Sequence, residues 1–116
     1  LLHVRDLFNL VRMQAEDMDR FVGKVFNVGG GQEVSVSLRE LTGLCQQITG
    51  NEIPISGVPE TRTADIRIYI TDNSRITAAC GWKPQISLQQ TLEEIHAWIY
   101  QNADLMKPIL IQSNQA

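Results

Sequence analysis

An arginine and an aspartate three residues apart, Arg62 and Asp65, stand in the polar run Glu60-Thr61-Arg62-Thr63-Ala64-Asp65, just ahead of the alternation Ile66, Ile68, Ile70. At the mouth of a strand, that spacing projects a cation and an acceptor from one loop. A guanidinium offers a planar fork of donors to phosphate oxygens, and a carboxylate accepts from a vicinal diol. The chemistry predicted for the pair is binding of a phosphate and the sugar hydroxyls attached to it. Each such charge-assisted hydrogen bond contributes about 1.5–3 kcal/mol when sheltered from water. The plainer alternative is a solvated Arg62, or one paired with Glu60, beside an Asp65 that holds a turn.

The other reactive residue types point to structure rather than chemistry. Gly29-Gly30-Gly31 removes every side chain for three residues, but no helix is predicted directly after it, so a turn is expected in place of a phosphate cradle. His3 and His96 have no second ligand at metal spacing, and neither Cys45 nor Cys80 lies in a CxxC or near a histidine, so no metal site is expected. Cys45 falls among Leu38, Leu41, Leu44 and Ile48, and Cys80 ends an apolar turn that begins at Ile76. Both read as buried, reduced thiols, in keeping with a reducing, cytoplasmic setting. Asp6 sits where a strand becomes a helix and reads as a helix cap, and Trp82 and Trp98 are expected to meet in the core.

These groups need elements to position them. Leu7, Leu10, Val11, Ala15 and Met18 recur at helical spacing and predict a helix from Asp6 to near Asp19. Lys24-Val25-Phe26-Asn27-Val28 is β-branched and aromatic and predicts a strand that runs into the glycines. Ser37 with Glu40 forms a capping-box pattern ahead of Leu41, Leu44 and Ile48, and Gly50 ends that helix. Ile53-Pro54-Ile55 and Ile66 to Ile70 predict two short strands flanking the Arg62 and Asp65 loop. Asp72 caps a brief helix that ends at Gly81, after which Trp82 packs back and Pro84 forbids continuation. Ser87 caps a longer helix whose stripe is Leu88, Thr91, Leu92, Ile95, Trp98 and Ile99. Beyond Ala103 the period fades into a polar end, which predicts a mobile tail over 104–116. The expected fold is a small mixed α/β domain over residues 1–103, with short strands and about four helices.

Composition narrows the partners. With 43% hydrophobic and 20% charged residues over 116, the chain suits one soluble globular domain. Ten basic against thirteen acidic residues, with no cluster of Lys and Arg interleaved with aromatics, argue against a nucleic-acid surface. No window approaches the roughly 18 to 20 apolar residues that span a bilayer, so no membrane partner is expected. The chain opens on Leu1-Leu2-His3-Val4 with no initiator Met, as expected of a fragment cut inside a strand.

The order His3-Val4-Arg5-Asp6, Phe26-Asn27-Val28-Gly29-Gly30-Gly31, Thr61-Arg62-x-x-Asp65, Asp72-Asn73-Ser74-Arg75 and Gly81-Trp82-Lys83-Pro84 resembles the C-terminal third of the extended short-chain dehydrogenase/reductase family. Within it, the match looks like the nucleotide-sugar epimerases and dehydratases, over about residues 1 to 100. No single motif is specific; five in order are much more so. The resemblance implies the closing, substrate-binding part of an NAD(P)-binding Rossmann-fold enzyme, with NAD held by a missing N-terminal Rossmann domain. It implies that Arg62 contacts the substrate diphosphate and Asp65 the nucleotide ribose. The loop departs from the family's Arg-Pro-Gly-Asp by carrying Thr63-Ala64 in the middle.

It implies no catalytic and no cofactor-binding residue in this chain. Gly29 to Gly31 lacks the GxGxxG spacing, and neither Tyr69 nor Tyr100 is followed by a Lys four residues on, so the chain is expected to be inactive alone. The activity implied first is epimerisation of a CDP-linked deoxysugar at C2. A 4,6-dehydratase of the same family and a free-standing nucleotide- or protein-binding module are the alternatives. Strands and helices without their parent sheet leave apolar surface and open edges, which predicts self-association.

Overall fold

Caps and apolar periodicity account for the regular structure. The computed structural model describes residues 1–58, 64 and 66–112, and among them it holds six helices and no strand. Helix α1 (Val4–Glu16) buries Leu10, and after a break at Asp17 a single further turn, α2 (Met18–Phe21), completes what the period predicted as one helix. Helix α3 (Leu38–Thr49) starts from the expected reciprocal cap: the Glu40 amide donates to Ser37 Oγ at 3.2 Å, and the Ser37 amide donates to Glu40 Oε2 at 2.9 Å. It ends at Gly50, whose φ of 71° is readily adopted only without a Cβ. Asp72 Oδ1 accepts from the Ser74 amide at 2.8 Å at the start of α4 (Ser74–Cys80), and Gly81 turns the chain out of it. Ser87 Oγ caps α5 (Leu88–Gln101) through the Gln90 amide at 3.1 Å.

Trp82 does pack back. It is 4% exposed, forms the buried core with Leu10 and Ile76, and donates from Nε1 to the Asp6 carbonyl at 3.0 Å. Leu2, Met13, Phe21, Phe26, Val28 and Cys80 pack around these three. The core thus joins α1 to α4 and to the segment ahead of the glycines.

Several expectations are corrected. Asp6 is not the cap of α1; His3 is, its Nδ1 accepting the Arg5 amide at 3.0 Å. Asp6 lies inside the first turn with its own amide already bonded to the His3 carbonyl, so its carboxylate reaches across instead. Oδ2 accepts the Gln85 and Ile86 amides, each at 3.1 Å, and Asp6 is 2% exposed. Trp98 does not meet Trp82: it is 54% exposed with Ile95 and Ile99 on the C-terminal half of α5, a helix that packs chiefly on α3 and α6. Both cysteines are free and half-buried rather than buried. A sixth helix, α6 (Ala103–Gln112), continues the chain where fading periodicity predicted a tail. Asn102 supports it by accepting the Leu105 and Met106 amides on its carbonyl, and Leu, Met and Lys are good helix formers whatever their phase.

The mixed α/β expectation meets its main difference at residues 24–28, 53–55 and 66–70, which run without a ladder. β-propensity describes fit to a neighbouring strand, and a strand exists only where a second backbone accepts and donates. Ile66, Ile68 and Tyr69 are consequently more than 70% exposed, at 76%, 79% and 75%. The accessible surface is 9788 Å², against about 6,300 Å² for a compact monomer of 13.0 kDa. The radius of gyration is 18.1 Å, against about 13 Å for a compact domain of this length.

Candidate functional site

Arg62 and Asp65, the two predicted site residues, lie outside the described residues. The structure does describe what flanks their loop. The segment 66–71 follows it in sequence, and residues 67–71 line a cleft of about 630 Å³ together with Leu1, Leu2, the Gly29–Gly31 turn and the start of α3. Arg67, Tyr69, Ser35 and Ser37 are the polar side chains on this cleft besides Glu40 and Thr71. Three stretches distant in sequence therefore converge on one cleft.

The glycines explain how they come so close. A Cβ at Gly30 would collide with the Leu1 carbonyl oxygen and with a Val34 methyl, and one at Gly29 would overlap the Thr71 side chain, 2.7 Å from its Cβ. Gly31 turns the chain at φ 73°. The run is a turn, as the sequence predicts, and α3 does not begin directly after it but at Leu38. Asn73 ties the turn down from the other side, accepting the Gly29 amide at Oδ1 (3.1 Å) and donating from Nδ2 to the Gly29 carbonyl (2.8 Å).

Two carboxylates near the cleft are already engaged. Glu40 has its carboxyl held below the usual range by the Ser37 hydroxyl and amide, which makes it an N-terminal cap rather than a free acid. Asp72 is held low in the same way by the Ser74 amide and hydroxyl. Arg67 is exposed and aligned with the cleft, the described cation nearest in sequence to Arg62.

On the far side of α1, Glu94 accepts from Arg5 at 2.8 Å, from Gln90 at 2.9 Å and from His3 Nε2 at 3.1 Å. The Gln90 hydrogen bond is the main reason its carboxyl lies below the ordinary value, with Arg5 and His3 adding to it against partial desolvation. This cluster fastens α1 to α5. His96 takes no part in it, and no group of three or more metal-binding side chains exists among the described residues.

Sequence reasoning missed three connections: the Leu1 carbonyl against Gly30, the Asn73 bridge, and the Asp6 anchor. Only the triple glycine signals the first, since consecutive glycines mark a close backbone approach. The others join residues 44 and about 80 positions apart, and no local pattern encodes them.

No family model matches the chain. Among curated proteins, it is 28% identical over 98 residues to CDP-paratose 2-epimerase of Salmonella typhi, covering 84% of this chain and 29% of that enzyme. It is 33% identical over 99 residues to UDP-glucose 4-epimerase of Halalkalibacterium halodurans, covering 84% of this chain and 28% of the enzyme. It is 30% identical over 88 residues to dTDP-glucose 4,6-dehydratase of Streptomyces griseus, covering 76% and 26%. The chain spans less than a third of the length of the curated relatives it matches. Proteins that rework different sugars on different nucleotides all align to most of this one segment, and on that ground the chain belongs to the nucleotide-sugar epimerase and dehydratase family.

Proposed function

We propose that this chain is the substrate-binding part of an NAD-dependent nucleotide-sugar epimerase that inverts C2 of a CDP-linked sugar. The observation that carries the reading is the alignment to a 2-epimerase over 84% of the chain. Arg62 and Asp65 supply the residue types that holding a nucleotide diphosphate calls for. In this reading Arg62 holds the diphosphate and Asp65 the ribose hydroxyls. Such contacts remote from the reacting carbon orient the sugar for a reaction that occurs elsewhere.

NAD does not fit the described residues. The only glycine-rich turn lacks the dinucleotide spacing, and its open sides are filled by Leu1, Val34 and Thr71. The cofactor, and with it the hydride chemistry, falls to a Rossmann domain outside this chain, which leaves the chain inactive alone. Two free cysteines and a nucleotide-sugar substrate fit a reducing cytoplasm, and no described helix is long and apolar enough to cross a membrane.

Calorimetry of the complete protein against CDP-, UDP-, GDP- and dTDP-sugars tests the assignment. The CDP-sugar is expected to bind tightest and to be epimerised at C2. The match to a 4,6-dehydratase supports a second reading, which tightest binding of a dTDP-sugar with loss of water from it would select. A protein that binds none of the four is a non-catalytic module, and the proposal falls.

A further inference from the structure

Gly29 is buried, and both of its backbone polar groups are satisfied by the half-buried side chain of Asn73, 44 residues away. One carboxamide thus does for Gly29 what a facing strand does in a ladder, donating and accepting at the same residue. Asparagine is suited to this because its donor and acceptor lie side by side on one planar group.

The surroundings leave no slack. Thr71, two residues before Asn73, fills the space where a Gly29 side chain would be, and the Leu1 carbonyl fills that of Gly30. The Gly29–Gly31 turn and residues 67–71 both line the 630 Å³ cleft. The Asn73 bridge ties the glycine turn to the chain two residues beyond Thr71, so it fixes one lining segment against the other.

We propose that Asn73 is a positioning residue of the nucleotide-sugar cleft, holding the glycine turn at a fixed distance from the segment that leads out of the Arg62 and Asp65 loop. The proposal rests on the functional reading above. Asn73 touches no substrate; it acts through the position of Gly29 and Thr71.

The substitution Asn73→Asp separates this role from simple stability. An ionised carboxylate still accepts the Gly29 amide but sets a second acceptor against the Gly29 carbonyl, whereas a protonated carboxyl can both donate and accept. In the complete protein at pH 7.5, Asn73→Asp and Asn73→Ala are each expected to bind the preferred nucleotide sugar about tenfold more weakly, with kcat changed less than KM. At pH 4, where an aspartate of ordinary pKa takes up its proton, the Asp variant is expected to recover toward wild type and the Ala variant is not. Protection of the Gly29 amide relative to its intrinsic exchange rate at each pH, followed by mass spectrometry, is expected to fall in both variants at pH 7.5 and to be restored at the lower pH only in the Asp variant.

Wild-type affinity in both variants, with Gly29 exposed to exchange, overturns the positioning role while leaving the functional reading intact. Unchanged exchange at Gly29 overturns the bridge itself. Wild-type protein that binds none of the four nucleotide sugars overturns the functional reading and the proposal together, whatever Gly29 does. Loss of affinity in the Asp variant that is equal at both pH values also counts against the proposal.

Discussion

Removing the Asp6 carboxylate tests how the Trp82 loop is held against α1. Both loop amides, from Gln85 and Ile86, converge on the same oxygen, Oδ2, at 3.1 Å. Asp6→Ala leaves two donors without a partner beneath a residue that is 2% exposed, at a cost of about 1–3 kcal/mol for each stranded group, discounted because the amides themselves are only partly buried. The sum worked from the structure is about 2–4 kcal/mol. Asp6→Asn can still turn its single carbonyl oxygen toward both amides, so it loses only the charge assistance, about 1 kcal/mol. The bond from Trp82 Nε1 is unaffected, because it ends on the Asp6 backbone carbonyl. Urea unfolding followed by tryptophan fluorescence reads the difference, since Trp82 is buried at this joint while Trp98 is exposed. Equal destabilisation by the two substitutions, or less than about 0.5 kcal/mol from Asp6→Ala, would refute the argument that the two amides share one acceptor.

Gly30→Ala drives a methyl into the Leu1 carbonyl and Val34 and is expected to lower stability by about 1–3 kcal/mol, whereas Gly43→Ala in open space within α3 should raise it by about 0.5–1 kcal/mol; thermal melts compare the two. The Glu94 carboxyl is depressed in the folded chain, so the stability it contributes is complete above the unfolded value near 4.5 and drains away as pH falls through the lower folded value. Melts of wild type and Glu94→Gln between pH 6 and about 3 should therefore converge at the acid end. Arg62→Ala in the complete protein should weaken nucleotide-sugar binding by about 1–3 kcal/mol in calorimetry, and unchanged affinity removes Arg62 from the site. The 116-residue chain, with some 3,500 Å² more surface than a compact monomer, should self-associate in light scattering, and a monomer at high concentration contradicts this.

What the sequence made readable was short in range. Ser37 with Glu40, Gly50, Gly81 and Ser87 each act within one helical turn, so residue type and spacing suffice to find them. Strands at 24–28 and 66–70 were legible as propensity but not as structure, because a ladder depends on a second backbone that no local pattern specifies. Asp6 shows the same limit in a side chain: its position at a helix start suggests a cap, yet its partners are amides about 80 positions downstream. Trp98 continues a regular apolar stripe, and a stripe says which face of a helix is apolar without saying what covers it. Of the site, the glycine turn was read correctly, while Arg62 and Asp65 lie outside the described residues.

The ring of His3 caps the start of the first helix on one nitrogen and reaches α5 on the other. To receive the Arg5 amide, Nδ1 must be bare, which leaves the ring's single proton on Nε2, aimed at Glu94. A second proton would turn that receiving nitrogen into a donor facing another donor. Gaining charge would thus tighten the grip on Glu94 and unfasten the first turn of α1 in the same act, so the imidazole can serve both neighbours only while it is neutral.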